Sequence, residues 1–230
     1  LKYFILSALS SGLLLYGCSL IYGFSGSTNF DVISSQLNSN EYVLTFGIVF
    51  ILVGLAFKIS AVPFHMWAPD VYEGSPTSVT LFFATVPKIA ALTVFIRFLY
   101  VPFINVIEQW QLIIVFLSVA SMVFGAIAAI GQKNLKRLIA YSSIGHMGYS
   151  LAGLCTGTSE GVQSSVLYLS IYLVMNLGFF SCLFMLKRNN KYYEDTDDLS
   201  GLSKNHPLIA LSLLIILFSL AGIPPLAGFF

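Results

Sequence analysis

Lys88 is the residue in this sequence most able to do chemistry, because it stands near the middle of the apolar stretch 79–100. Placing a lysine at the centre of a membrane helix costs about 2.5–3.5 kcal/mol, so such residues usually have a function and face the bundle interior or water. Pro87 precedes it and leaves the carbonyl of Phe83 without its helical donor. An amine that reaches to the interface is the alternative, which the central position argues against. The pattern predicts a proton carrier in a hydrated pocket.

A second lysine, Lys58, lies beside an expected break in a helix. The apolar run over residues 42–71 is too long for one straight span at about 1.5 Å per residue, and it contains Pro63. A break between Ser60 and Pro63 would resolve this. Broken backbone at membrane depth is tolerated only where protein or water satisfies it. We therefore expect Lys58 to lie at a hydrated interruption, with an interface anchor as the alternative.

Three further residues are candidates for proton transfer. His146 is central in another apolar stretch, beside Ser142 and Ser143. Imidazole exchanges protons near neutral pH, and the serines can orient it or hold water. A structural histidine between helices is the alternative. His65 follows the expected break and is a weaker candidate. Lys2 stands at the edge of the first apolar stretch, where reaching to the interface explains it as well as chemistry does.

A counter-charge for these lysines is missing from the apolar stretches. Charged groups inside a membrane usually pair with one another or with backbone carbonyls, yet no Asp or Glu falls centrally in any stretch. We expect the partner to lie outside residues 1–230, or to be Asp70 or Glu73 at the edge of a loop. The chain lacks an initial Met and ends inside an apolar run. We therefore expect it to be part of a longer protein.

The composition indicates that lipid is the solvent of this chain. Hydrophobic residues make up 57% of the 230 positions and charged residues only 9%, against about 25% charged in soluble domains. A net charge of +1 gives no electrostatic argument for nucleic acid. The cysteines match neither zinc nor disulfide spacing, and the sequence has no phosphate-binding glycine loop or iron–sulfur motif. We expect an all-α polytopic membrane protein that binds no cofactor itself.

Seven apolar segments have the length of helices in a membrane bundle. A span needs about 20 mostly apolar residues, and in lipid each backbone polar group must find its partner within the segment. We therefore expect residues 1–230 to form a single transmembrane domain of about seven helices. The segments are 3–22, 42–62, 79–100, 111–130, 138–154, 162–186 and 208 to the end.

The connections on one side of the membrane are mostly basic, and those on the other side are mostly acidic. The positive-inside rule then places the start of this sequence on the cytoplasmic or matrix side. The basic side holds Lys2, Lys133, Lys136, Arg137, Lys187, Arg188, Lys191 and Lys204, and the other side holds Asp31, Glu41, Glu108 and Glu160 with one basic residue, Arg97.

Two segments carry proline-containing interruptions, one at Pro63 and one at Pro224 and Pro225. These segments are five apart, so they cross the membrane in opposite directions. Interrupted spans in opposite orientation are typical of inverted-repeat transporters. The alternative is that two proline-bearing helices coincide by chance.

Four stretches of the sequence together resemble one known membrane family. They are GLAFKISAVPFHMWAPDVYEGSPT (54–77), VPKIAAL (86–92), NLKRLIAYSSIGHMGY (134–149) and LAGIPPLAGFF (220–230). They resemble, in the same order, the proton-pumping antiporter-like subunits of respiratory complex I (NADH:quinone oxidoreductase). The wording PFHMWAPDVYEGSP is most similar to the subunit N branch, which is called subunit 2 in mitochondria.

The resemblance implies a fold of fourteen helices with two inverted five-helix units, of which this chain covers the sixth to the start of the twelfth. It implies that Lys58 is the lysine of the broken seventh helix and Lys88 the central lysine of the eighth. Lys2 would open the sixth helix, and His146 would lie on a central hydrophilic axis. A glutamate of the fifth helix and a lysine of the twelfth would lie beyond the two ends of the sequence.

The resemblance also implies proton translocation in a bacterial or mitochondrial inner membrane, with His65, Pro63, Pro87 and Pro224 in supporting roles. NADH, FMN, iron–sulfur clusters and quinone would belong to the wider complex. The partners would be lipid and other membrane subunits, including neighbouring antiporter-like ones. A subunit of a multi-subunit Na⁺/H⁺ antiporter, which shares the helix plan, remains an alternative. A non-transporting membrane scaffold is another.

Overall fold

A computed structural model describes residues 1–36, 42–188 and 191–229, so Glu41 and Phe230 lie outside the described part. Helices dominate it, as the sequence predicted, and a hairpin of two-residue strands follows α8. The elements are α1 (Lys2–Ser25), α2 (Phe30–Ser35), α3 (Tyr42–Ile59), α4 (Ala68–Gly74), α5 (Thr77–Tyr100), α6 (Ile107–Ile130), α7 (Leu135–Leu154), α8 (Ser159–Met185), β1 (Lys187–Arg188), β2 (Lys191–Tyr192), α9 (Leu202–Asn205) and α10 (Pro207–Leu220).

Each of the seven apolar segments contains a helix, but several helices begin before their apolar residues do. The fifth segment was expected to start at residue 138, whereas α7 starts at Leu135. The side chain of Asn134 accepts hydrogen bonds from the amides of Lys136 and Arg137 and so caps this polar first turn. Hydropathy alone does not detect a turn that is charged and capped.

Four helical segments of the described chain are long and apolar enough to cross a membrane: α1, α5, Ile104–Ile130 and α8. The apolar helices Leu44–Ile59 and Pro207–Leu220 are shorter, because each belongs to an interrupted span. The chain is therefore a multi-pass membrane protein, as its composition predicted.

The two interruptions share one backbone geometry. Ser60 follows α3 with φ of 63°, and Gly222 follows α10 with φ of 72°. In both, the amide of this residue donates to the carbonyl three residues back (3.1 and 3.0 Å), and the next amide donates to the carbonyl five residues back (2.9 and 3.0 Å). A cis X–Pro bond follows, at Pro63 and at Pro225. The shared geometry supports the predicted inverted repeat.

Side chains satisfy the backbone at the first interruption. The indole of Trp67 donates to the carbonyl of Phe57 at 2.8 Å, near the end of α3. The amide of Val62 donates to the hydroxyl of Ser121 in α6 at 2.9 Å. Protein groups therefore provide the partners that a broken helix needs at membrane depth.

Helices α6 and α7 pack with their backbones close together, which fixes α7 in the interior. A Cβ atom added at Gly125 would lie 2.6 Å from the amide nitrogen of Gly145. The hydroxyl of Ser118 donates to the carbonyl of Gly148 at 2.8 Å across the same interface. Small residues allow such close approach between membrane helices. On its other sides α7 packs against α4, α5 and α8.

Ion pairs gather the basic ends of the helices on one side of the bundle. Lys2 at the start of α1 pairs with Asp70 of α4. Arg137 in the first turn of α7 binds Asp70 at 2.9 Å and Glu73 at 2.8 Å. A further pair joins α7 to the segment that follows the hairpin. These contacts place the starts of α1 and α7 at one end, as the charge pattern predicted.

Candidate functional site

Lys88 lies in the interior, where helices α4, α5 and α7 meet. Its side chain is 1% exposed. The ammonium nitrogen Nζ lies 2.6 Å from Oγ of Ser143 in α7 and 5.6 Å from the ring centre of Tyr72 in α4. Ser143 donates its own proton to the carbonyl of Ala140 at 2.6 Å, so its lone pair is free to accept from Lys88. Lys88 is thus a buried donor held by a hydroxyl and an aromatic face.

The carbonyl that Pro87 frees has another hydrogen-bond donor in the structure. Tyr72 donates its hydroxyl proton to the carbonyl of Phe83 at 3.2 Å. A fully buried tyrosine therefore replaces the donor that proline cannot supply. The carbonyl and the amine thus have different hydrogen-bond partners, Tyr72 and Ser143, and a hydrated pocket shared by the two stays a prediction.

His146 lies one helical turn beyond Ser143 on α7 and is 7% exposed. Its Nδ1 atom is 2.6 Å from the hydroxyl of Tyr168 in α8. The rings of Tyr149, Tyr168 and Tyr172 surround the imidazole, with centroid distances of 6.3, 6.0 and 5.1 Å. The structure therefore places the hydrogen-bond partner of Lys88 and the predicted His146 one helical turn apart on α7.

Lys58 lies in the last turn of α3, two residues before Ser60, so its place beside the break is as predicted. Its Nζ donates to the hydroxyl of Ser7 in α1 at 3.1 Å, and the side chain is partly buried. Lys58 thus binds α1, whereas Lys88 binds α7. The structure places these two lysines against different helices.

Lys2 lies at the aqueous end of α1, where its side chain is 51% exposed. Its ion pair with Asp70 sets it apart from the buried site. Asp70 and Glu73 bind Lys2 and Arg137, and no ion pair among the described residues includes a lysine of the apolar layer. The suggestion that either carboxylate serves Lys58 or Lys88 is therefore wrong. The hydrogen bond from Lys2 is the main cause that lowers the pKa of Asp70.

The remaining predicted residues shape the backbone or pack beside it. The ring of His65 packs on Phe124 with a centroid distance of 4.4 Å, and its buried Nδ1 meets no partner within the described chain. Pro63 and Pro224 lie in the two interruptions, and Pro87 lies inside α5. The structure does not bring His65 to the group around His146.

Tyr72 and Tyr168 are site residues that sequence reasoning missed. Tyr168 and Tyr172 are four residues apart in α8 and therefore share one face. This spacing of hydroxyl-bearing rings in an apolar span is a signal that the sequence offered. Among the described residues, no group of three His, Cys, Asp or Glu side chains could hold a metal ion.

Named relatives of this chain are bacterial membrane subunits. It is 82% identical over 230 residues to the NADH-quinone oxidoreductase subunit N of Pelagibacter ubique, covering 100% of this chain and 49% of that protein. It is 58% identical to the protein of the same name from Parvibaculum lavamentivorans, covering 100% and 48%. The predicted similarity to subunit N is confirmed. The chain spans about half the length of the curated relatives it matches.

Two solved assemblies contain chains of the same fold. Respiratory complex I from Thermus thermophilus matches with a TM-score of 0.83 at 38% identity, covering 99% of this chain and 49% of that one. The Mrp complex from Dietzia sp. matches with a TM-score of 0.88 at 27% identity, covering 99% and 42%. The fold is thus shared by both assemblies, and the sequence is more similar to the complex I chain.

The family model described as NADH:quinone oxidoreductase/Mrp antiporter, TM, matches residues 1–230. The match covers both interruptions, the three helices around Lys88 and the histidine of α7. The chain belongs to the NADH:quinone oxidoreductase/Mrp antiporter transmembrane family.

Proposed function

We propose that this chain is part of a proton-translocating membrane subunit of an NADH:quinone oxidoreductase. The observation that carries the proposal is Lys88, a fully buried ammonium group 2.6 Å from Ser143 and one helical turn from His146. Burying a lysine in the apolar layer costs free energy, and such residues are usually functional. The relatives named NADH-quinone oxidoreductase subunit N identify the assembly in which that function would be used.

The arrangement suits stepwise proton transfer. Lys88 and His146 are each able to carry one proton, and Ser143 is a hydroxyl that both accepts and donates. Positive charges on both Lys88 and His146 would repel each other in an apolar layer. A proton on Lys88 therefore favours a neutral His146. Once that proton has moved to the histidine, Lys88 is neutral and can accept another proton. In this proposal the buried pair passes protons one at a time.

Lys58 and Lys2 take secondary roles in the proposed path. Lys58, beside the first interruption, would exchange charge with a carboxylate outside residues 1–230. Lys2, fixed by Asp70, would hold the aqueous end of α1 against α4.

The wider complex supplies the redox chemistry in this proposal. NADH, FMN, iron–sulfur clusters and quinone would be bound by other subunits. Residues 1–230 would form a single transmembrane domain, in contact with neighbouring membrane subunits and lipid. The named relatives are bacterial, which favours the bacterial inner membrane over the mitochondrial one.

Proton pumping by the complete complex in sealed vesicles tests the proposal. We expect Lys88→Ala and Lys58→Ala to reduce NADH-driven pumping at least about a hundredfold, the lower end of the effect typical of a lost proton-transfer group. Lys204→Ala, an exposed lysine beyond the hairpin, is the matched control and should pump normally. Full coupled pumping by both variants, in assembled complex, would refute the proposal and favour the scaffold alternative.

The structural match to an Mrp complex supports a second candidate, a subunit of a multi-subunit Na⁺/H⁺ antiporter. An antiporter should give Na⁺-dependent pH changes in vesicles without any NADH oxidation. Copurification of the full-length protein with redox subunits argues for the first candidate. The higher sequence identity to the complex I chain, 38% against 27%, favours it as well.

A further inference from the structure

We propose that Tyr168 passes protons from His146 into a polar cavity between α7 and α8, at the end of the bundle opposite to the Lys2–Asp70 pair. This inference rests on the proposed function and adds to it an outlet and the residue that connects the outlet to the buried site.

The polar groups on α7 are ordered from one end of the bundle toward the other. The helix begins beside Arg137 in the ion-pair cluster and ends at Leu154. Ser143, which binds Lys88, comes first, and His146 follows one turn later. Gly153, ten residues beyond Ser143, borders the cavity. At about 1.5 Å per residue, this path covers roughly 15 Å along the helix axis.

The cavity lies where α7 ends and α8 begins. It has a volume of about 540 Å³, enough for a chain of water molecules. Its lining includes several polar side chains and one carboxylate, the exposed Glu160 in the first turn of α8. The residues that line it include Tyr149, Gly153, Glu160, Gln163, Ser164 and Tyr168.

Tyr168 contacts both the buried histidine and this cavity. Its hydroxyl lies 2.6 Å from Nδ1 of His146, and its side chain forms part of the cavity wall. The neighbouring wall contains Ser165, whose hydroxyl can donate its proton to the carbonyl of Ser150 in α7 at 2.8 Å or to that of Gly161 in α8 at 2.9 Å. A fixed hydroxyl between a buried imidazole and a polar cavity is the geometry that a proton-passing residue requires.

The proposed step conserves atoms and charge. Protonated His146 gives its Nδ1 proton to the Tyr168 oxygen while Tyr168 gives its own hydroxyl proton to water in the cavity. The N–H bond of the imidazole and the O–H bond of the phenol break, and a new phenol O–H bond and a hydronium O–H bond form. Histidine and tyrosine both end neutral. Glu160 at the cavity wall attracts the released positive charge.

The decisive experiment compares Tyr168→Phe with Tyr149→Phe in the complete complex, reconstituted in sealed vesicles. Both rings contact His146 and line the cavity, but only the Tyr168 hydroxyl is within hydrogen-bonding distance of the imidazole. We expect Tyr168→Phe to lower the NADH-driven pumping rate at least about a hundredfold and Tyr149→Phe, which also removes a hydroxyl of the cavity wall, to lower it less. Equal pumping by the two variants overturns the inference.

A second variant separates proton passage from a structural role of the hydroxyl. Replacing Tyr168 with a ring-fluorinated tyrosine keeps the shape and the hydrogen bond but makes the phenol a stronger acid. We expect pumping to persist with its pH profile moved toward lower pH. An unmoved profile overturns the inference, even if Tyr168→Phe fails to assemble.

The outcome for Lys88 distinguishes the two levels of the proposal. If Lys88→Ala abolishes pumping while Tyr168→Phe leaves it intact, the outlet is wrong and the proposed function survives. If Lys88→Ala and Lys58→Ala both pump fully, the proposed function itself fails.

Discussion

The hydroxyl of Tyr72 donates a hydrogen bond of 3.2 Å to the backbone carbonyl of Phe83, the group that Pro87 deprives of its helical donor. The ring of Tyr72 also stands 5.6 Å from the ammonium group of Lys88. Thr80 in the first turns of α5 bonds back to the Tyr72 carbonyl at 3.0 Å. The side chain of Tyr72 therefore connects α4 both to the proline-containing turn of α5 and to the buried lysine.

Tyr72→Phe should destabilise the protein through the orphaned carbonyl of Phe83. A buried acceptor without a donor costs about 1–3 kcal/mol. Pro87→Ala restores an amide that can bond to the same carbonyl. In that background we expect Tyr72→Phe to cost at least about 1 kcal/mol less, so the two changes should be non-additive. Unfolding of the full-length protein in detergent measures this, and strictly additive effects would contradict the assignment.

Ser143→Ala should impair proton transfer without removing either charged group. It deletes the oxygen 2.6 Å from Lys88, and a hydrogen bond to a charged group contributes about 1.5–3 kcal/mol. If the lost hydrogen-bond energy adds in full to the activation free energy of proton transfer, NADH-driven pumping by the assembled complex should fall about ten- to a hundredfold. Ser142→Ala, at the neighbouring and less buried position, is the control. Normal pumping by Ser143→Ala would show that this hydroxyl is not on the path.

The sequence predicted features whose causes are local. The break between Ser60 and Pro63 follows from the length of an apolar run and a proline within it. The burial of Lys88 follows from its place in the middle of another run. Both predictions are confirmed, because α3 ends at Ile59 and Lys88 is buried. They were possible because residues nearby in the sequence indicate each feature.

The partners of these residues depend on contacts across the fold and were not predictable. Ser143 is 55 residues from Lys88, and Asp70 is 68 residues from Lys2. Nothing in the local pattern indicates which helix each side chain faces. The tyrosines were missed because their rings fit an apolar span, while the role of each hydroxyl depends on what lies opposite.

Asp70→Asn should weaken the basic end of the bundle in a pH-dependent way. Lys2 lowers the pKa of Asp70, which lies at the aqueous end outside the spanning helices with 38% of its side chain exposed. A lowered pKa stabilises the fold above the unfolded carboxyl value of about 3.9, and the effect disappears as pH falls through the folded value. Wild type and variant should therefore differ in thermal stability at pH 7 and converge toward pH 3.

Salt provides the control for the Asp70 prediction. Exposed ion pairs contribute little individually and are screened by ions, so the difference at pH 7 should shrink in high salt. Glu73→Gln, which loses one ion pair instead of two, should have a smaller effect. A difference that persists unchanged at pH 3 would exclude the carboxylate charge as its cause.

Gly125→Ala should damage both stability and pumping, because it pushes α6 away from α7. The added Cβ would lie 2.6 Å from the amide nitrogen of Gly145 and 2.9 Å from the carbonyl oxygen of Tyr141. These are backbone atoms, so relief requires that α7 itself move. Overpacking of this kind costs about 1–3 kcal/mol. Since α7 carries Ser143 and His146, a displaced helix should also slow proton transfer in the assembled complex.

Gly12→Ala in α1 is the matched control for this last prediction. A Cβ there would meet no atom within 4 Å, and alanine favours helix over glycine by up to about 1 kcal/mol. We expect unchanged or slightly raised thermal stability in detergent. If Gly125→Ala behaved like Gly12→Ala in both stability and pumping, the close approach of α6 and α7 would not be what positions the buried lysine–serine–histidine group.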